Sequence, residues 1–393
     1  MLKQGTRVLV TGGAGFLGSH VVRALLSAGC PVRVLDDLST GKRERLAGFG
    51  ARLELLHADV RNPGAVERAA RGAHAIIHLA AMPAGSDPAR AQEVQLGGAL
   101  NVLAAARAIQ DRHERPRVVL AGSGSVYGRQ PAFVLHEELM PRPVVAEAVI
   151  ALAAEHYGRV YREAHGVPVT CLRIFRTFGP DEDPERADAS VVARFIRAAL
   201  DGTSPVILGD GQQTRDLVFV DNVAQAILAA ASVDHPEPLN IASGEAIAIN
   251  FLWTMVLELA GKRRLAIEPT YVPAPPWQPQ HARPQIQRAC KVLGWAPSVR
   301  LRDGLQRVVH HYQNLRSADP NAWFAPRQGE TSQARRPARP PSSPPRPSRN
   351  TPPPTPVPVA PEVLDATDLV MEEEPEEAEI EWAPVPAVPG MGR

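Results

Sequence analysis

Residues 8–18 of the 393-residue chain read Val-Leu-Val-Thr-Gly-Gly-Ala-Gly-Phe-Leu-Gly, with glycines at positions 12, 15 and 18. An apolar strand pattern precedes the glycines, and apolar residues at helical spacing follow them through Leu26. A strand, a glycine turn and a helix in this order bring backbone N–H groups and the positive end of a helix dipole to one point. The stretch therefore predicts a binding site for a pyrophosphate.

A carboxylate follows at the spacing expected of a dinucleotide site. The apolar run Val32–Leu35 ends at Asp36, which lies 18 residues beyond Gly18. An acidic residue roughly 20 residues past the glycines binds the ribose hydroxyls of NAD, and it repels the 2′-phosphate of NADP. We therefore predict NAD as the cofactor. The alternative is a glycine-rich turn followed by an aspartate that only caps a helix.

Strand and helix patterns alternate beyond this point. Strand-like runs cover Arg7–Val10, Val32–Leu35, Leu53–Leu56, Ala75–Leu79, Val118–Leu120 and Val169–Phe175. Strands that alternate with helices of 10–15 residues indicate an α/β fold with a doubly wound parallel sheet. The pattern becomes less regular after about Gly179, which predicts a smaller mixed lobe.

Proline marks the last part of the chain. Of the 39 prolines, 16 fall in residues 331–393, where Trp382 is the only aromatic residue. Such a segment buries too little apolar surface to offset its ordering entropy, so we predict a disordered Pro-rich and acidic tail over 317–393. Residues 341–346 match a polyproline ligand pattern, and the alternative is that they form a spacer. Glu372–Glu381 match a docking peptide for a protein partner, and the alternative is a solvated acidic tail.

Charge and cysteine usage exclude several classes of partner. The 43 Lys and Arg residues nearly balance 42 Asp and Glu, so we expect neither nucleic acid nor a membrane surface. The three cysteines have no metal-ligand spacing, so we expect no metal, no disulfide framework and a reducing, cytoplasmic compartment. We also expect no membrane helix, and no signal peptide because a strand pattern follows residue 5 directly.

Several motifs give the chain a resemblance to a known family. Besides residues 11–18, they are Leu35–Gly41, Ala58–Arg61, His78–Ala81, Ser125–Gly128 and Gly209–Asp216. Residues 1–315 resemble the extended short-chain dehydrogenase/reductases, in the NAD-dependent nucleotide-sugar epimerase/dehydratase group typified by UDP-glucose 4-epimerase. The resemblance implies an NAD-binding Rossmann domain in residues 1–178, to which later segments return, and a nucleotide-sugar lobe in residues 179–316.

The resemblance also implies the cofactor contacts and an assembly. The cofactor-binding residues are expected to be Gly12, Gly15, Phe16, Leu17, Gly18, Asp36, Asp59, Val60, Leu79, Ala80 and Ala81. Family members commonly pair through two helices of the Rossmann domain, here near Leu96–Ile109 and Glu147–His165. A homodimer, or a pair with an active paralogue, is therefore implied.

The catalytic pair of the family is missing from the sequence. The family uses a Tyr and, four residues later on the same helix face, a Lys that lowers the Tyr pKa and holds the nicotinamide ribose. No Tyr of this chain is followed by Lys at that spacing. Counting back from Leu152–Tyr157 puts Glu147 at the Tyr position and Ala151 at the Lys position, whereas Ser123 keeps the family's Ser or Thr.

Two interpretations of this replacement stay open. The leading one is a catalytically degenerate NAD-binding protein that acts as a sensor or scaffold. The alternative is an active epimerase or oxidoreductase whose base is Glu147 or comes from a partner subunit. Sugar dehydration is not expected, because Gly124 and Ser125 replace the acid pair of the dehydratases. His156 and Tyr157 are expected on a packing or solvent face rather than as a catalytic pair.

The predicted sugar-nucleotide site also departs from the family. Arg176 replaces an Asn, Gln95 replaces another, and residues 275–278, Pro-Pro-Trp-Gln, replace the Arg-Pro-Gly-Asp that grips uridine diphosphate. Arg215 and Asp221 match the family and are able to meet a phosphate. The alternative for Arg215 is a structural ion pair with Asp216 or Asp221. Arg176 and Arg215 are the candidate substrate-binding residues.

Overall fold

The glycine-rich stretch joins the first strand to the first helix, as the sequence predicts. The structure is a computed structural model, and the residues that it describes are 2–110, 116–186, 188–275, 278 and 280–318. These residues belong to one compact unit. Of the predicted tail, only Ser317 and Ala318 are among them, and both belong to the last helix. The rest of the tail, with its two candidate docking segments, lies outside the described residues.

The strands and helices are numbered in chain order. The strands are β1 Val8–Thr11, β2 Val32–Asp36, β3 Leu53–His57, β4 Ala75–His78, β5 Arg117–Ser123, β6 Val134–Leu135, β7 Val169–Ile174, β8 Arg176–Phe178, β9 Val206–Leu208, β10 Thr214–Phe219, β11 Leu239–Ile241, β12 Ala246–Ala248, β13 Thr270–Val272 and β14 Arg283–Pro284. The α-helices are α1 Phe16–Ser27, α2 Pro63–Ala70, α3 Pro88–Ala91, α4 Gly98–Gln110, α5 Ala146–His165, α6 Val191–Asp201, α7 Val220–Ala230, α8 Ile249–Leu259, α9 Gln287–Leu293 and α10 Leu301–Ala318. A π-helical turn, Gln92–Gly97, joins α3 to α4.

The central sheet has seven strands in the order β11-β7-β5-β4-β1-β2-β3. All neighbours pair in parallel, so their carboxyl ends meet at one edge. The order changes direction at β1, and in such a doubly wound sheet ligands bind beside this switch point. This arrangement confirms the predicted α/β fold. The seventh strand, β11, comes from beyond residue 178 and pairs with β7.

Buried side chains on alternate positions of each strand pack against helices on both faces of the sheet. On β1, Val8 and Val10 contact one hydrophobic cluster, which α1 and α7 complete. Leu9 points to the opposite face and joins a cluster with α2 and α4. Because both faces are covered, the central strands β1 and β4 are buried at every position rather than at alternate ones.

The second lobe has a core of its own around two small sheets. Strand β10 pairs in parallel with β8 and antiparallel with β12, and β9 pairs with β13. Aromatic residues fill this core, with Phe178, Phe219 and Trp253 nearly inaccessible to solvent. None of the described helices is both long enough and apolar enough to span a membrane.

Candidate cofactor and substrate site

A cleft of about 230 Å³ opens at the carboxyl edge of the central sheet. Its lining includes all eleven residues predicted to bind the cofactor: Gly12, Gly15, Phe16, Leu17, Gly18, Asp36, Asp59, Val60, Leu79, Ala80 and Ala81. The sequence places these residues in four separate segments, and the ends of β1, β2, β3 and β4 bring them together. We refer to this space as the cofactor cleft.

The glycine turn is shaped for close approach of a ligand to the backbone. Gly12 has a φ of +71°, and a Cβ there would lie 2.7 Å from the backbone N of Ala80. A Cβ on Gly18 would lie 2.1 Å from the carbonyl oxygen of Gly12, so α1 packs against the turn only because residue 18 has no side chain. The first turn of α1 has no capping side chain and no acidic residue. Its N–H groups are therefore available to an anion.

Asp36 is held rigidly at the end of β2. Its Oδ2 accepts a hydrogen bond from Ala14 N at 2.8 Å, and its Oδ1 accepts one from Leu38 N at 2.8 Å. Burial raises the pKa of this carboxyl, and the two N–H donors counteract that effect. No described helix begins at Asp36, so the helix-cap alternative does not apply. Each carboxylate oxygen keeps a lone pair for a ribose hydroxyl.

The far end of the cleft is built around Arg61. Asp59 accepts hydrogen bonds from Arg61, whose guanidinium also reaches Glu93 of the π-helical turn at 2.9 Å. These bonds lower the pKa of the Asp59 carboxyl. Val60 and Leu79 supply apolar walls nearby. A glycine cradle, a free helix N-terminus, a fixed carboxylate and an apolar slot together fit a dinucleotide.

A second cavity, of about 260 Å³, adjoins the cofactor cleft and shares Ala80, Ala81 and Met82 with it. Ser123 from the end of β5 lines it, as do Glu147 and Ala151 from one face of α5. The three predicted catalytic positions thus lie in one space, which we call the Glu147 cavity. None of the described residues that line it is a Tyr, a Lys or an Arg.

Glu147 lies in the first turn of α5, and its Oε1 accepts a hydrogen bond from Gly85 N at 2.8 Å. The Oγ of Ser123 accepts from Ser125 N at 3.1 Å and lies 2.8 Å from the Oγ of Ser125. Tyr127 is fully buried and donates to Asn240, and Tyr157 is 43% exposed on α5. His156 is exposed as well, and neither His156 nor Tyr157 lines the cavity.

The second lobe carries a larger cavity of about 1000 Å³ with five arginines in its lining: Arg176, Arg194, Arg197, Arg215 and Arg316. We call it the arginine cavity. Both candidate substrate-binding residues, Arg176 of β8 and Arg215 of β10, belong to it. Arg197 is neutralised by Glu185 and Asp201, and Arg316 by Asp201. The guanidinium of Arg176 forms no hydrogen bond or ion pair with any other described residue.

Arg215 is buried, with only 7% of its surface exposed, and no described carboxylate pairs with it. One of its terminal nitrogens, Nη1, donates to the carbonyl oxygens of Thr214 and Gln280, whereas Nη2 is buried with no partner among the described residues. Burial, and to a smaller extent the charge of Arg176, lowers the pKa of this guanidinium to about 10. The side chain stays charged at neutral pH, so an anion would relieve an unfavourable arrangement.

The ion pair considered for Arg215 is not formed. Asp216, the next residue of β10, points to the opposite side and accepts a hydrogen bond from Ser243 N at 2.8 Å. Asp221 instead accepts from His20 at 3.1 Å. Two further orphaned atoms, Gln213 Oε1 and Gln278 Oε1, belong to residues of the arginine cavity. Several unsatisfied polar groups around one cavity are typical of a polar ligand site.

Some residues of these sites carry no signal in the sequence. Asp188 lines both the cofactor cleft and the arginine cavity, yet it comes from a loop of the second lobe. Gln213 stands within a recognised motif, but only the fold reveals that it lines the cavity and that its buried Oε1 has no partner among the described residues. No described group of three or more His, Cys, Asp or Glu side chains is arranged to hold a metal ion.

A model of the NAD dependent epimerase/dehydratase family matches residues 8–242. The chain belongs to this family. It is 34% identical over 317 residues to the UDP-glucose 4-epimerase of Mycolicibacterium smegmatis. The aligned part is 78% of this chain and 99% of the relative. Membership confirms the resemblance that the motifs indicate, and it confirms NAD as the predicted cofactor.

Solved structures of family members agree over the same part of the chain. The UDP-glucose 4-epimerase of Thermus thermophilus in complex with NAD has a TM-score of 0.68 and 33% identity, over 78% of this chain and 99% of that one. The UDP-N-acetylglucosamine 4-epimerase of Methanobrevibacter ruminantium in complex with UDP-N-acetylmuramic acid has a TM-score of 0.74 and 29% identity, over 79% and 99%.

Proposed function

We propose that this family member binds NAD and a nucleoside diphosphate sugar without converting the sugar to a product, and that it acts as a sensor or scaffold. The composition of the Glu147 cavity carries this proposal. Glu147 and Ala151 occupy the positions of the family's Tyr and Lys, and no described Tyr, Lys or Arg lines the space. A sugar hydroxyl there has no phenol to exchange its proton with, and no ammonium fixes the ribose.

The expected loss of rate is large. General acid–base catalysis by a positioned group contributes roughly 10²- to 10⁴-fold, and loss of ribose positioning adds to that. The cofactor-binding residues, by contrast, are all present. The eleven cofactor residues surround one cleft, and Asp36 favours NAD over NADP through its carboxylate.

The arginine cavity supports a diphosphate ligand. Arg176 and Arg215 both line it, and neither has a carboxylate partner among the described residues. Two neighbouring guanidinium groups match the charge of a diphosphate and donate hydrogen bonds to its oxygens. Gln213 and Gln278 offer further polar atoms for the nucleoside or the sugar.

The alternative is an active epimerase or oxidoreductase that uses Glu147, or a group from a partner subunit, as its base. One observation favours it: Glu147 shares its cavity with Ser123, beside the cofactor cleft. Against it, the glutamate side chain is shorter than that of tyrosine, and Ala151 offers no cation beside it.

Two further features support the assembly and the compartment that we propose. Val149, Tyr157 and Val160 are 53%, 43% and 51% exposed and follow one side of α5, which leaves an apolar stripe for a second copy or an active paralogue. The described cysteines, Cys30, Cys171 and Cys290, are all free thiols, in keeping with the reducing cytoplasm that we expect.

Proton NMR of UDP-glucose, UDP-galactose and their N-acetylated forms tests the proposal, with excess protein and added NAD over hours. We expect bound NAD and no epimerised sugar. The double variant Glu147→Tyr with Ala151→Lys should not restore full activity, because Arg176 and Gln278 also depart from the family pattern. Turnover by the unmodified protein that Glu147→Gln abolishes would instead establish Glu147 as the base.

A further inference from the structure

The Glu147 cavity carries one uncompensated charge. Four of its described lining residues are ionisable: His78, Glu147, Glu155 and Cys171. Burial lowers the pKa of His78 to about 4 and raises that of Cys171 to about 12, so both side chains are neutral at pH 7. Glu155 is neutralised by Arg173, which donates to its two oxygens at 3.0 and 2.7 Å. Glu147 is therefore the one described lining residue whose charge is not offset.

The negative charge of Glu147 is held in place. Gly85 N donates to its Oε1 at 2.8 Å, and the side chain lies in the first turn of α5, at the positive end of the helix. Both features place positive electrostatic potential beside the carboxylate and fix its position. Glu147 forms no ion pair with another described residue, so its charge is not cancelled within the cavity.

The cavity lies where one end of a dinucleotide must go. With the adenosine at Asp36 and Asp59 and the pyrophosphate at the glycine turn, the remaining half leaves the cleft past Ala80 and Ala81. Those two residues and Met82 also line the Glu147 cavity, whereas the arginine cavity shares only Asp188 with the cleft. The nicotinamide therefore enters the space that contains Glu147.

We propose that Glu147 makes this site selective for the oxidation state of the cofactor, so that NAD⁺ binds more tightly than NADH. The inference rests on the proposed cofactor site. The nicotinamide ring carries a positive charge in NAD⁺ and none in NADH. An unpaired carboxylate in the same small cavity attracts the first form only, and no described Lys or Arg opposes it. Such a site reports the supply of NAD⁺ and holds the cofactor against reduction.

Calorimetric titration with NAD⁺ and with NADH measures the effect directly and requires no turnover. Two unit charges roughly 10 Å apart at an effective dielectric constant near 20 predict about tenfold tighter binding of NAD⁺. For a two-electron couple, tenfold corresponds to a midpoint potential lowered by about 30 mV. Glu147→Gln keeps the acceptor for Gly85 N and should bring the two affinities together. Ala151→Lys, which adds a cation on the same face of α5 to offset the charge of Glu147, should likewise bring the two affinities together.

Glu163→Gln is the matched control, because it removes the same charge from an exposed position of the same helix, outside the cavity, where the carboxylate pairs with Arg159. Its affinity ratio should equal that of the unmodified protein, and thermal melting shows whether each variant is folded. Equal affinities in the unmodified protein, or a preference that survives Glu147→Gln, would overturn the inference and leave the cofactor site standing. Failure to bind either form would overturn both.

Discussion

Replacing Arg215 with methionine tests whether the arginine cavity is built for an anion. The guanidinium is 7% exposed, has no counter-ion and leaves Nη2 without a partner among the described residues. A buried charge in this state costs stability in the free protein and is favourable only once an anion arrives. Arg215→Met should therefore weaken ligand binding and stabilise the ligand-free protein at the same time.

The size of both effects follows from the contacts. The lowering of the Arg215 pKa to about 10 corresponds to about 3 kcal/mol of unfavourable burial. Methionine also loses the bonds to the carbonyls of Thr214 and Gln280, worth about 1 kcal/mol each. The difference leaves a gain of about 1 kcal/mol, or roughly 2 °C in Tm. Loss of charge-assisted bonds to phosphate should weaken UDP binding by about 10- to 100-fold.

Calorimetric titration with UDP and differential scanning calorimetry of the free protein give the two readouts. Arg197→Met is the control, because that side chain lines the same cavity but is already paired with Glu185 and Asp201. It should lose a little stability and little UDP affinity. A lower Tm for Arg215→Met together with unchanged UDP affinity would mean that Arg215 is a structural residue, and the reasoning would fail.

Three further predictions concern the cofactor, the pH dependence and the tail. Asp36→Ala should weaken NAD binding by about 10- to 100-fold and narrow its preference over NADP, and equal affinity for the two cofactors in the unmodified protein would refute the role of Asp36. Buried His78 has a pKa of about 4, whereas in the unfolded chain the imidazole is protonated at higher pH. About 3 kcal/mol of the free energy of unfolding should therefore be lost as the pH falls from about 6.5 to 4, which urea titrations at several pH values measure. His78→Gln should make the free energy of unfolding less dependent on pH in this range. Truncation after Ala318 should leave the Tm within about 1 °C, because the removed residues are rich in proline and charge and poor in the apolar side chains that build a core. A drop of many degrees would contradict this.

The sequence was sufficient for the sheet and the cofactor cleft because their signals are local. The strands of the central sheet are rich in apolar residues, and the glycine turn requires residues that lack a Cβ, as the contacts of Gly12 and Gly18 demonstrate. Asp36 stands at a fixed distance along the chain from these glycines. The i and i+4 spacing likewise brings Glu147 and Ala151 to the same cavity.

The remaining features depend on contacts between distant segments. Nothing near Asp188 in the sequence indicates that it reaches both the cofactor cleft and the arginine cavity. The sequence alone did not decide whether Arg215 forms an ion pair, since Asp216 and Asp221 are both close to it along the chain. Only the strand geometry, which turns Asp216 to the opposite face, separates a structural ion pair from an anion site.

Strand β11 is the last strand of the central sheet to be synthesised. Leu239–Ile241 pairs with β7, which ends at Ile174, so the ribosome must make almost half of the second lobe before the sheet is complete. Until then, β7 presents an unpaired, apolar edge that is open to wrong partners. Helix α7 and Trp295 also complete the core on one face of the sheet. A gene cut at residue 178 should therefore yield an aggregating fragment rather than a free-standing nucleotide-binding domain.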